Sequence, residues 1–248
     1  MTVPVIKGII RRRLLINFRA DPEVTSRILP AGMRPKLHGS HAIVGICLIR
    51  LEQIRPKGLP AALGIASENA AHRIAVEWTG HDGRCEEGVF VPRRDTGSVI
   101  NVMAGGCLFP GEQHHARFEV QDDGRGVSLT MIPDDGHARI GVTGVAVESL
   151  PTRSCFSSLD EASEFFAHDC TGYSTTRDPE RLDGIKLITP EWRVQPFEVS
   201  DVHSGFFADA SRFPKGSIEF DHGLVMRDID HEWHALPPFD CVHACATG

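Results

Sequence analysis

Four Asp-Gly pairs, Asp82-Gly83, Asp123-Gly124, Asp135-Gly136 and Asp183-Gly184, cut this chain into short segments. Asp-Gly between alternating apolar runs is a strong tight-turn signal, because both residues reach positive φ at little cost. The flanking segments have a period of two. Ile74, Val76 and Trp78 share one face of the run 72–78. Ala116, Phe118 and Val120 alternate with Arg117 and Glu119. Val127, Leu129 and Met131 repeat the pattern, as do Ile140, Val142 and Ala146, and further runs cover 194–199 and 217–226. About nine or ten strands are predicted in this way. Two helices interrupt them. The first opens at Asp21-Pro22-Glu23, a cap, a proline and an early acid, and ends near Leu29-Pro30. The second runs from Ser158 to about His168, with Ser158 and Glu161 as a capping box and Leu159, Ala162, Phe165 and Phe166 as its apolar stripe. Residues 168–190 read as an irregular excursion. The predicted fold class is mainly β (α+β): a closed or nearly closed antiparallel β-barrel with a few peripheral helices. No composition shift marks a boundary, so residues 1–248 read as one domain.

The charge balance removes several function classes. The net charge is −7 and the pI is near 6.0, the wrong sign for a general nucleic-acid binder. Arg11-Arg12-Arg13 is the only dense basic run. No apolar stretch reaches membrane-spanning length, and residues 1–13 carry their charges after the apolar residues, the reverse of a secretory signal. A cytoplasmic protein is the expectation, with no nucleic-acid or membrane partner and room for a homo-oligomer. Seven cysteines without framework spacing read as reduced thiols, and Cys47, inside the run 42–49, reads as a small core residue. GxGxxG, a phosphate loop and GxSxG are all absent, so no cofactor is expected.

Arg93-Arg94 carries the chemistry. It follows the strand-like run 88–92 and precedes a turn at 95–97. Two adjacent arginines at a strand mouth offer fixed, permanently charged forks for a carboxylate. Adjacent strand residues point to opposite faces, so one is expected to line a pocket and the other to support it. Glu68, if buried, would have a raised pKa suited to acid–base work, and His72, four residues on, could shuttle a proton. The competing view of Glu68 is a buried ion pair with an arginine. His231, His234, Cys241, His243 and Cys245 are borderline metal ligands, but their spacing matches no common zinc finger, and no metal is assigned. His114-His115 reads as a surface loop. The segment from Ala104-Gly105-Gly106 to Gly111 reads as a connection or a lid.

The motifs SENAAHRIAVEW, VPRRDTGS, GSIEFDHGLVMRDI and HEWHAL resemble an uncharacterised bacterial branch of the acetoacetate decarboxylase-like superfamily. The stretch Arg11 to Asp21, a helix, and then Leu29-Pro30-Ala31-Gly32-Met33 resembles that family's opening strand, helix and turn. The resemblance implies a closed β-barrel with peripheral helices. It places the family's active-site glutamate at Glu68, its carboxylate-binding arginine among Arg11, Arg12 and Arg13, and its two lysines at Arg93 and Arg94. The imine-forming lysine is therefore replaced by arginine, which stays protonated and is no amine nucleophile. The five lysines, Lys7, Lys36, Lys57, Lys186 and Lys215, all lie elsewhere. The resemblance thus implies fold and pocket while opposing the decarboxylase reaction.

Three functions follow. The first is a cofactor-independent, lyase-like enzyme acting on a small oxo- or hydroxy-acid, with Glu68 and His72 catalytic and Arg93, Arg94, Arg11 and Arg13 binding substrate. The second is a binding module for a small organic acid. The third is a structural barrel with a vestigial site.

Overall fold

The structure, a computed structural model, describes residues 4–80, 82–104, 111–167 and 170–241. The elements in chain order are β1 (Ile6–Ala20), α1 (Pro22–Ser26), β2 (Met33–Pro35), β3 (Leu37–His38), β4 (His41–Pro56), β5 (Ile65–Thr79), β6 (Cys85–Thr96), α2 (Val99–Ala104), β7 (Gln113–Asp122), β8 (Gly126–Pro133), β9 (Ile140–Ala146), α3 (Leu159–Ala167), β10 (Thr171–Thr175), β11 (Arg181–Ile188), β12 (Gln195–Ser204) and β13 (Ile218–Asp240). The mainly β expectation holds, with more strands than the turn signals predicted. Residues 168–190 are not an irregular excursion: β10 and β11 lie there and pair with each other.

The strand pairings close two circuits. One runs from β6 through β5, β4, β1, β13, β12, β9, β8 and β7 back to β6. The other runs from β6 through β10, β11, β13, β1, β4 and β5 back to β6. Most pairs are antiparallel, but β6 pairs in parallel with both β7 and β10. The circuits share β13, β1, β4, β5 and β6, and both faces of the middle three, β1, β4 and β5, look into an interior. Leu14, Leu15, Ile16 and Asn17 are accordingly buried in succession, the continuous pattern of a doubly covered strand rather than alternation. In the first interior Leu14, Ile16 and Phe18 pack with Ile74, Leu129, Phe197 and Phe207. On the other face Leu15, Ile43, Ala75 and Leu224 pack against Phe166 and Ala162 of α3, while Ile6, Ile10, Leu51, Ile54, Met226 and Ile229 form a separate apolar cluster.

Local chemistry sets the ends of the elements. The Asp21 carboxylate accepts from the backbone N–H groups of Glu23 and Val24 at 2.8 and 3.1 Å, and α1 stops at Ser26, short of the predicted Leu29-Pro30. At α3 Ser158 Oγ accepts from Glu161 N at 3.1 Å, but the Glu161 carboxylate reaches back to Ser157 N at 2.7 Å rather than to Ser158. Three Asp-Gly pairs are turns, with Gly83, Gly124 and Gly136 all at positive φ. Asp183-Gly184 is not. Gly184 lies within β11, where a Cβ would sit 2.7 Å from the Tyr173 ring and 2.9 Å from Leu236, so close packing, not a turn, requires glycine there.

Gly144 of β9 is a second close approach. A Cβ would collide with Glu198 O and lie 2.6 Å from the Phe197 ring. Gly144→Ala should lower stability by about 1–3 kcal/mol, read as a lower urea midpoint at unchanged slope. An unshifted midpoint would show that β12 gives way freely.

Candidate functional site

A cavity of about 120 Å³ lies inside the second circuit, lined by β1, β4, β5, β6, β10, β11 and β13. Arg94 of β6 lines it. Its Nε donates to Ser174 Oγ of β10 at 2.8 Å, and among the described residues no carboxylate pairs with it. Burial pushes its pKa down to about 10. Arg13 of β1 lines the same cavity, with Nε donating to Cys47 Sγ of β4 at 3.3 Å and its guanidinium 5.6 Å from the Trp192 ring. It too has no carboxylate partner among the described residues. Asn69 of β5 adds an amide, positioned by Thr96 Oγ1 donating to Asn69 Oδ1 at 2.8 Å. Arg73 completes the polar lining. It donates through Nη2 to Asn17 Oδ1, and its guanidinium lies 4.7 Å from the Phe166 ring. Cys47 is thus a half-buried cavity thiol rather than the core residue that its apolar run predicted.

The other predicted site residues lie on the opposite face of the shared wall. Glu68 does not line the cavity. Its carboxylate is 2.7 Å from Arg12 Nη2, and Arg12 also reaches Asp122 at 3.1 Å. Arg227 holds Asp122 from the other side at 2.9 Å. Burial raises the Glu68 pKa although Arg12 and Arg50 pull it down. His72 is fully buried in the first interior, stacked 4.6 Å from Phe206, with Nε2 3.2 Å from Ser204 Oγ. Burial, then Arg93 and Arg212, push its pKa down to about 3. A neutral, enclosed imidazole is poorly placed for proton shuttling. Arg93 points the same way as His72. It grips Asp95 at 2.7 Å and Asp135 at 2.8 Å, and these bonds hold its pKa above the ordinary arginine value against burial. Arg11 is on the outside, paired with Glu52 and Asp228. Strand alternation sends Glu68, His72 and Arg93 one way and Asn69, Arg94 and Arg13 the other, so of the expected pairings Glu68 projects to the same side as Arg93 and not into the cavity that Arg94 lines.

Other constellations are internally satisfied. Ser154 Oγ donates to Asp221 at 2.6 Å, and His222 Nδ1 meets the same carboxylate at 2.6 Å while its Nε2 meets Asn17 at 2.9 Å. The imidazole never touches the serine, so this is a structural clamp and not a nucleophile–base pair. It lies beside a wider hollow of about 440 Å³ under residues 147–153. His231 and His234 sit three apart on strand β13 and hence on opposite faces, with His234 3.1 Å from Glu232. His243 and Cys245 lie outside the described residues, as do Gly105, Gly106 and the rest of that segment to residue 110. Among the described residues no set of three His, Cys, Asp or Glu side chains could hold a metal. No helix of the described residues is long and apolar enough to cross a membrane. No lysine lines the cavity.

The fold has solved relatives. The enduracididine biosynthesis enzyme MppR, complexed with the condensation product of pyruvate and imidazole 4-carboxaldehyde, superimposes with a TM-score of 0.61 at 12% identity, covering 97% of this chain and 90% of that one. An acetoacetate decarboxylase-like enzyme from Sphingomonas wittichii RW1 gives 0.58 at 12% identity, covering 96% and 94%. Acetoacetate decarboxylase from Legionella pneumophila gives 0.59 at 14% identity, covering 95% and 88%. At these identities the likeness establishes the fold, which is the acetoacetate decarboxylase-like one. No curated protein matches. A family model, DUF2071, described as an uncharacterized conserved protein, matches residues 10–222, most of the chain, and the protein belongs to the DUF2071 family.

Proposed function

We propose that the cavity is a small-organic-acid pocket that works without a Schiff base, holding an oxo- or hydroxy-acid through Arg94 and Arg13. One observation carries this reading: of the three guanidiniums that line the cavity, Arg73 is engaged by Asn17, whereas Arg94 and Arg13 have no carboxylate partner among the described residues. A buried cation without a counter-charge is expensive, and a planar carboxylate is the ligand an arginine fork fits best. The similarity to MppR, whose structure holds a pyruvate-derived product, is consistent with an oxo-acid. Binding without turnover is favoured over lyase-like chemistry, since Glu68 and His72 face the other interior. Turnover in this cavity would fall to the Cys47 thiol beside Arg13.

Trp233 lines the cavity, so titration with pyruvate and acetoacetate should change tryptophan fluorescence saturably. No saturable change, and no heat of binding by calorimetry, would sink the reading. Borohydride added with either acid should leave no adduct by intact mass, because no lysine lines the cavity. A stoichiometric adduct on one lysine would restore imine chemistry.

A further inference from the structure

We propose that the cavity takes a two-headed anion, a dicarboxylate of about four or five carbons, with one head on Arg94 and the other at a corner formed by Arg13, Trp192 and His231; this rests on the organic-acid reading above. The two guanidiniums belong to strands that are not neighbours. β1 and β6 are separated by β4 and β5, roughly 14 Å along the sheet at the usual strand spacing. One carboxylate can neutralise one of them and leaves the other buried without a counter-charge.

The Arg13 corner holds a second, independent sign of a missing acceptor. Arg13 Nη1 and Trp192 Nε1 are buried with no hydrogen-bond partner among the described residues, and His231 beside them has at most the Ile229 carbonyl. His231 is only 1% exposed. Such groups are rare in folded proteins and each calls for an explanation. These sit together. The Arg13 guanidinium lies against the Trp192 ring, its charge helps to push the His231 pKa down to about 4, second to burial, and the His231 ring meets that of cavity-lining Trp233 at 4.4 Å. Space for the imidazole comes from Gly8, its partner across β1, where a Cβ would lie 3.2 Å from the His231 ring. At Asp228 β13 takes a left-handed backbone with φ 57°. Leu224 and Met226 before it and Ile229 after it all pack on the side of the second interior, and His231 follows Ile229 at strand spacing. Trp192 and His231 stand behind the lining residues, so a carboxylate seated on Arg13 would give the indole N–H and the free guanidinium edge an acceptor once the side chains of that wall shift to admit it. Size agrees: 120 Å³ corresponds to roughly eight to ten water-sized positions, about the number of heavy atoms in succinate or 2-oxoglutarate.

The test compares acids of matched length by calorimetry: butyrate and 2-oxobutyrate against succinate, oxaloacetate and 2-oxoglutarate. The dicarboxylates should bind at least about 30-fold more tightly. Arg13→Gln should reduce that preference below about threefold. Trp192→Phe keeps the ring and removes only the N–H, so it carries the test even if Arg13→Gln does not fold; it should cost dicarboxylates about three- to tenfold and monocarboxylates nothing. Equal affinity for the two sets overturns the two-headed ligand but leaves the pocket intact. Binding of neither set overturns both readings.

Discussion

Arg94→Gln removes acid binding by about 100-fold or more, whereas Arg93→Gln leaves affinity within about threefold and lowers stability by about 3–5 kcal/mol. The contrast follows from which way two adjacent side chains point. Arg94 presents its charge to the cavity, held only by the Ser174 hydroxyl, so a ligand carboxylate would be its first counter-charge. Glutamine keeps hydrogen-bonding capacity but lacks the charge and the fork. Arg93 is already engaged, gripping Asp95 through three N–H···O contacts between 2.7 and 3.1 Å. Asp95 is fully buried, and its removal from Arg93 leaves an uncompensated carboxylate, the case in which breaking a pair costs most. Calorimetric titration and urea unfolding of the two variants separate the effects. If Arg93→Gln is the variant that loses binding, the assignment of faces is wrong.

Acid unfolds this protein in two stages. His72 keeps a pKa of about 3 in the folded state against 6.5 ordinarily. Below pH 6.5 the unfolded chain therefore takes up a proton that the folded chain refuses, and stability falls until the pH nears 3. At 1.36 kcal/mol per pH unit, the fall by pH 4 is about 3 kcal/mol from His72 alone. His231 and His222, whose pKa values are also lowered mainly by burial, add in the same sense. Glu68 and Asp95, raised by burial, act oppositely, since the folded state then gains its proton first. His72, whose ordinary value is the higher, sets the slope over the upper part of this range. The second stage begins below pH 3.8. Burial opposes the charge of Asp221 and Asp122, yet bonds from His222, Ser154 and Cys155 N to the first, and from Arg227, Gly124 N and Arg12 to the second, hold both near 2. That stabilisation is lost as they protonate. Urea midpoints from pH 7 to 3 should show the first stage flattened in His72→Asn. An unchanged slope between pH 6.5 and 4 would remove His72 from the account.

The sequence made the β architecture readable because alternation and Asp-Gly turns are local signals. It hid β10 and β11 because Gly172, Gly184 and Ser174 are poor strand formers, kept there by close packing and by the bond to Arg94 rather than by propensity. The arginine pair was legible as two side chains on opposite faces of a strand. Which arginine faces the ligand was not, because β1, β4 and β5 are buried on both faces and apolar pattern cannot name the functional side. The same ambiguity joined Glu68 and His72 to the wrong cavity and made Cys47 look like filler. A hint lay in Asn69, an amide two residues from Ala71 and four from Arg73, which marks a polar row through an apolar strand. His231 reads in the sequence as a metal candidate; its burial beside Arg13 and Trp233 is visible only in three dimensions.

The wall shared by the two circuits separates the protein's labours. Residues that project to one side hold the ion-pair networks and aromatic packing that keep the chain folded. Their immediate neighbours, projecting to the other, shape the chamber proposed to meet a ligand. A lineage can therefore retune its ligand by changing alternate positions, at Arg94, Asn69 or Cys47, without rewriting the scaffold. It cannot tolerate a one-residue insertion or deletion within β1, β4 or β5, which would exchange the two inventories at a stroke. Substitution at such positions leaves the pairing intact, whereas a change of length along these strands does not.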